Sequence, residues 1–186
     1  GVRMKPGPGS ILIAPPTITD GRFAKTVLLV THNNSSGTFA LCLNKPTKHT
    51  MGPLSRELKL DKELPFQMFW GGPVNNGSIW MIHDKDWEID NTLYVDENWR
   101  VTSNESMFYH LADGDAPRQF RVVAGFASWM PEQLNMELKG IAPFTKSNSW
   151  LFVNKVEPNW VFDTPTDELW DDAIALAGTQ AVESWF

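Results

Sequence analysis

The sequence predicts one domain of the α/β (α+β) class, and three features predict it. Val27-Leu28-Leu29-Val30 is a continuous apolar run of strand formers, short enough to be a strand buried on both faces. Phe66, Met68 and Trp70, then Ile79, Met81 and His83, then Phe120, Val122, Ala124 and Phe126 alternate with other residues, as half-buried strands do. Leu169, Trp170, Ala173, Ile174 and Ala177 instead recur at helical spacing, so a helix packs one stripe against the core near the end of the chain. A chain of 186 residues needs only one such core.

The elements follow in order. Residues 1–9 are rich in Pro and Gly and are expected to be a flexible lead into a domain spanning 10–178. Ser10 to Ala14 forms a first strand ended by Pro15-Pro16, and Thr19 to Phe23 forms a turn with Phe23 packing inward. After the Val27 run, the polar loop His32 to Gly37 reverses the chain. A second strand starts at Thr38, with Phe39, Leu41 and Leu43 on one face and Ala40 and Cys42 on the other. It stops at Asn44-Lys45-Pro46, where proline cannot donate to a ladder. Gly52-Pro53 opens a helix bearing Leu54 and Leu58. The strand ending at Trp70 runs into Gly71-Gly72-Pro73-Val74, and Asn75-Asn76-Gly77 signals a turn before the strand Ser78 to His83. A short strand is expected at Thr92 to Val95. Thr102 and Glu105 have capping-box spacing ahead of a helix carrying Met107, Phe108 and Leu111 and ending at Gly114. Phe120 to Phe126 leads to Ala127-Ser128-Trp129, and Pro131 opens a helix with Leu134 and Leu138 that ends at Gly140. Leu151 to Val153 and Trp160 to Phe162 pair as strands. Asp163-Thr164-Pro165 caps the last helix, Gly178 ends it, and 179–186 is an apolar tail that docks on the body or on a second subunit.

The order and wording of these segments resemble the YqgE/AlgH family. The opening strand with Asp20 and Phe23, the run from His32 through Gly37 to Asn44-Lys45-Pro46, and Gly71-Gly72-Pro73-Val74 before a strand ending in His83 match its first blocks. Gly125, Phe126, Ala127, Trp129, Gln133, Leu134, Glu137 and Leu138 match the most specific block, and the similarity runs from Gly9 to Gly178. Two departures stand out. Ala40 occupies a usual glycine position, and 139–149 is longer than the family's link and reads as an exposed insertion. The resemblance implies a bifurcated mixed sheet with a small barrel-like portion surrounded by helices. It also implies bacterial proteins of unestablished activity, some called transcriptional regulators.

Charge and composition bound the function further. A net charge of −6 without a basic cluster opposes direct nucleic-acid binding or adhesion to an anionic membrane. No apolar run is long enough to span a bilayer. Without an apolar leader, the cytoplasm is the expected location. The single cysteine, Cys42, sits in an apolar strand and reads as a core residue rather than a reactive thiol. Nine tryptophans exceed an average composition. Trp87 and Trp99 lie in acidic surroundings and suggest a surface through which the protein contacts a partner or another copy.

Motif-level chemistry is absent: no G-x-S-x-G elbow, Walker lysine, G-x-G-x-x-G or H-E-x-x-H occurs. The four histidines, His32, His49, His83 and His110, have no metal spacing, so neither metal nor cofactor is expected. Polar residues at strand ends remain: Asp20, His32, Asn44, Gly71, Gly72, His83, Ser128 and Gln133. From these and Trp129 the sequence supports a shallow ligand pocket of His32, Asn44, Gly71, Gly72, Trp129 and Gln133. The competing assignment has Asn44 and His32 bonding loop backbone and Gln133 capping structure. Three functions are carried forward. The first is a non-enzymatic binding or indirect regulatory module acting through protein or small-ligand contact. The second is a hydrolase using His32 with Asp20, and the third is an oligomeric interaction protein.

Overall fold

A computed structural model describes residues 5–19, 21–139 and 150–183. Their strands join in one sheet. In chain order these are β1 (Ile11–Ile13), β2 (Val27–Asn34), β3 (Gly37–Cys42), β4 (Pro46–Thr50), β5 (Gln67–Trp70), β6 (Val74–Asp84), β7 (Leu93–Tyr94), β8 (Trp99–Thr102), β9 (Phe120–Trp129) and β10 (Leu151–Val153). The main path runs β10-β1-β2-β3-β9-β6-β8-β7. The helices are α1 (Gly52–Glu57), α2 (Ser106–Ala112), α3 (Gln133–Lys139), α4 (Pro158–Asp163) and α5 (Leu169–Glu183). The sheet is mixed and curls into a half-barrel with the helices around it, as the family resemblance implies.

The fork lies at β9. On one side, its first half pairs in parallel with β5, Met68 to Trp70 against Val122 to Ala124. Its second half pairs antiparallel with β3, Thr38 to Ala40 against Ala127 to Trp129. On the other side it meets β6 along its length. Gly125 makes the transition possible: its φ is +81°, and a Cβ there would lie 2.4 Å from the Gly72 carbonyl oxygen. Gly72, at φ +155°, is equally confined, because its Cβ would stand 2.0 Å from the Phe126 carbonyl carbon. Side-chain alternation therefore resets across Gly125. Val122 and Ala124 face the cluster around Met51, Met81 and Met107, whereas Ala127 and Trp129 face the cluster of Leu28, Val30, Ala40 and Cys42. Val123 and Phe126 both face the largest core, with Leu29, Leu41, Leu43, Ile82 and Trp99.

Several expectations need correction. His32 to Gly37 is not a loop: β2 continues to Asn34, with a register shift between Val30 and His32, and only a tight turn remains. β3 already ends at Cys42, ahead of Asn44-Lys45-Pro46, and Pro46 begins β4, where it pairs with Phe69 at the sheet margin. Asn75-Asn76-Gly77 does not separate two strands. It is an irregular bulge within β6, the register jumping from Val74 opposite Phe126 to Ile79 opposite Ala124. Thr102 caps no helix, since its hydroxyl is taken up by His83 and Thr92; Asn104 Oδ1 instead accepts the Ser106 N–H ahead of α2. Trp160 to Phe162 is helix α4, not a strand, with Pro158 in its first turn. α5 runs past Gly178 to Glu183, so the 178/179 boundary falls inside a helix.

Pro6 and Gly9, expected in a flexible lead, are held to β2. Gly9 N–H donates to the Val30 carbonyl at 2.9 Å, and Asn33 Nδ2 donates to the Pro6 carbonyl at 2.8 Å. Trp99 is fully buried and donates its indole N–H to the Val156 carbonyl at 3.1 Å, so it forms no contact surface. Trp87 is half-buried between His83 and His110 and donates to Asp115. Residues 140–149, which hold all of the inserted stretch beyond Lys139 and Gly140 at the expected end of α3, lie outside the described residues, as do Asp20, Trp185 and Phe186. No helix among the described residues is long and apolar enough to cross a membrane.

Candidate functional site

The backbones expected to meet do meet. Cys42 N–H donates to the Gly71 carbonyl at 2.8 Å, Trp70 N–H donates to the Lys45 carbonyl at 2.8 Å, and Thr38 lies opposite Trp129. The Asn44-Lys45-Pro46 exit thus adjoins the double-glycine corner. The side chains among the six named residues do not all converge, however, because the sheet separates His32 from Trp129 and Gln133. His32 lies opposite Phe39 and shares its face, whereas Trp129 belongs to the cluster on the reverse face with Ala40.

Asn44 is buried and structural. Its Oδ1 accepts the Val27 N–H at 3.0 Å, and its Nδ2 donates to the carbonyl of Lys25, which has a φ of +57°. The amide clamps that left-handed turn to the start of β2. Gly71 and Gly72 are buried against β9 and permit close backbone crossing rather than offering an open anion nest. Gln133 Oε1 accepts the Met130 N–H at 3.0 Å, which caps the entry to α3. Cys42 is sealed in the core, and burial pushes its thiol up to about 11.

His32 alone of the six lines the cavity at the open mouth of the half-barrel. This cavity, about 270 Å³, lies among Phe39, Leu41, Trp80, Leu93, Val101 and Phe126, with Thr31, His32, Asn34 and Ser36 on its polar rim. Phe39 and Phe126 pack with ring centres 5.2 Å apart, and Trp80 meets Phe126 edge-on at 6.2 Å. The Thr31 hydroxyl lies 2.9 Å from His32 Nδ1. Phe39 is 37% exposed and Leu93 38%, so apolar surface faces solvent at the rim. Such a site can hold a small apolar or aromatic group and orient it with one imidazole.

Trp129 and Gln133 line a second cavity of about 380 Å³ with Phe23, Trp150 and Glu137. Trp150 stands edge-on to both Phe23 and Trp129, each at 5.8 Å between ring centres. Burial raises the Glu137 carboxyl above its ordinary value, against the opposing influence of the neighbouring Trp150, Gln133 and Trp129 side chains. Its Oε2 is buried without a hydrogen-bond partner. The sequence places Glu137 in the α3 motif, one turn after Gln133, but its apolar surroundings depend on Phe23 and Trp150 arriving from remote segments.

Comparison with known proteins adds family context. Residues 11–182 match the family model described as AlgH-like. A UPF0301 protein of Nitrosococcus oceani is 30% identical over 172 residues, covering 90% of this chain and 87% of that protein. One from Photobacterium profundum is 27% identical over 175 residues, covering 90% and 89%. The solution structure of the AlgH protein from Pseudomonas aeruginosa matches with a TM-score of 0.76 at 26% identity, covering 96% of this chain and 92% of that one. A crystal structure of a Corynebacterium diphtheriae protein shares the fold with a TM-score of 0.68 at 21% identity, covering 91% and 86%.

Proposed function

The chain belongs to the AlgH-like family, and on that footing we propose that it is a non-enzymatic binding module that takes a small neutral aromatic or apolar molecule into the half-barrel mouth. Any regulatory role is then indirect, exerted through the occupied or empty state of that mouth. The observation carrying this reading is the cavity itself: aromatic and aliphatic side chains converge on a concave space whose polar groups are confined to one rim. The chemistry of the lining favours binding over hydrolysis. Among the described lining residues His32 is the one titratable group, and its Nδ1 lies beside the Thr31 hydroxyl rather than a carboxylate.

Titration with indole and phenol, followed by calorimetry and by thermal unfolding, tests the proposal. Binding should be saturable and should raise the unfolding temperature by mass action. Phe39→Ala, at a half-exposed position that the fold tolerates, should weaken it about tenfold through lost apolar contact. Equal affinity for the variant, or no saturable binding of either probe, rejects the mouth as the binding site.

A further inference from the structure

We infer that the opposite end of the half-barrel core, around Arg121, binds an organic carboxylate carried on a planar apolar body. Along β3 and β9 the mouth lies toward Phe39 and Phe126, whereas Arg121 lies toward Leu43, to whose carbonyl its Nη1 donates at 2.5 Å. The guanidinium is sandwiched between Phe69 and Phe162, 5.0 and 5.3 Å from their ring centres. Arg121 is only 9% exposed, and among the described residues no ion pair involves it. A buried charge ordinarily has a counter-charge, and a guanidinium carries five N–H donors. One partner is accounted for here. None of the Arg121 nitrogens is sealed from solvent without a hydrogen bond, so the remaining donors face the cavity that Arg121 lines.

That cavity has a volume of about 470 Å³, within the range of small-molecule sites. Arg118, exposed and without an ion pair among the described residues, stands on its wall as a second cation. Phe66 and Phe120, packed edge-on with centres 4.9 Å apart, add an apolar wall. Asp163 also lines the space and accepts a 3.5 Å bond from Gln119 Nε2. A carboxylate on that rim opposes multiply charged anions more than a monocarboxylate. The planar fork of arginine matches a carboxylate with two parallel hydrogen bonds, while the flanking rings accept a flat apolar body.

Calorimetry at low salt with benzoate, its neutral relative benzamide and inorganic phosphate, each titrated with the mouth saturated by indole, tests the inference. Benzoate should bind about tenfold more tightly than benzamide, because the charge-assisted bonds are lost in the amide, and phosphate should bind more weakly than benzoate. Arg118→Gln, a surface change, should weaken benzoate several-fold. Arg121→Lys, which keeps the charge but loses the fork, should weaken it about tenfold or more, with circular dichroism confirming the fold. Should Arg121→Lys not fold, the benzoate-to-benzamide ratio in the wild type and in Arg118→Gln still decides. Indole added to saturate the mouth should leave benzoate affinity unchanged, which separates this site from the mouth. Equal binding of benzoate and benzamide, no benzoate binding at millimolar concentration, tighter phosphate binding, or wild-type affinity in Arg118→Gln overturns the assignment.

Discussion

His83 is fully buried, and its bonds define its chemistry. Nδ1 donates to the Asp84 carbonyl at 2.8 Å, so Nε2 of the neutral ring accepts from the Thr102 hydroxyl, which in turn meets the Thr92 hydroxyl at 2.9 Å. Burial lowers the His83 pKa below 6.5 and Arg100 adds to this, against the Asp84 carbonyl, the Asp84 charge and Glu88. The unfolded chain therefore takes up a proton before the native one does. Stability from this site is present above 6.5 and falls as pH drops toward the lowered native value, by at most about 1.4 kcal/mol per pH unit. Urea unfolding of wild type and His83→Gln at pH 7.5 and 5.5 should show the wild type losing more stability on acidification. Parallel losses would remove His83 as the cause. Glu137 has the opposite sign. Its raised carboxyl favours the neutral form in the native state, so stability declines as pH rises above the ordinary 4.5 toward the raised value. Glu137→Gln should flatten that decline, read from unfolding midpoints at pH 4.5 and 7.5. A decline of unchanged slope in the variant would contradict it. Neither His83 nor Glu137 could be ranked from sequence, because burial, which dominates both shifts, is delivered by residues distant in the chain.

At the scale of elements, the fork in β9 concentrates the most constraint. Gly125→Ala must place a Cβ against the Gly72 carbonyl and hold alanine at φ +81°, so it should destabilise the fold by about 2 kcal/mol or more. The same substitution at Gly114, where the surrounding space is open but φ is +80°, carries only the backbone strain of about 1 kcal/mol. Comparing the two by urea denaturation isolates the steric part, and equal losses would mean the β5–β9 crossing relaxes. Elements misread from sequence share a cause. Trp160-Val161-Phe162 alternates as a strand does, but three residues fit either period, and Pro158 with the packing of Val161 into the main core selects the helix. Thr102 and Glu105 satisfy a spacing rule, yet the β6–β8 ladder claims Thr102 before any helix can. Asn75-Asn76-Gly77 suits a turn, yet continued pairing with β9 on both sides turns it into a bulge.

Across the whole molecule, the curled sheet encloses its largest core, and cavities of different chemistry lie at two places along it. The mouth beside Phe39 and Trp80 is apolar with a single imidazole, and the other end presents Arg121 between two phenylalanines. The mixed class, the positions of most strands along the chain, the two faces of β3 and the character of Cys42 followed from local pattern, because side-chain period and hydrophobicity act over a few residues. Family membership followed in the same way, from blocks of residues that stand in the chain itself. The gathering of β3, the glycine corner and the start of α3 was also foreseen, and their backbones do meet. What only the tertiary structure decided is which side of the sheet each side chain occupies. A register shift at Thr31 carries His32 to the face of Phe39, the left-handed backbone at Gly125 carries Trp129 to the face of Ala40, and neither alternation nor spacing encodes such a reset.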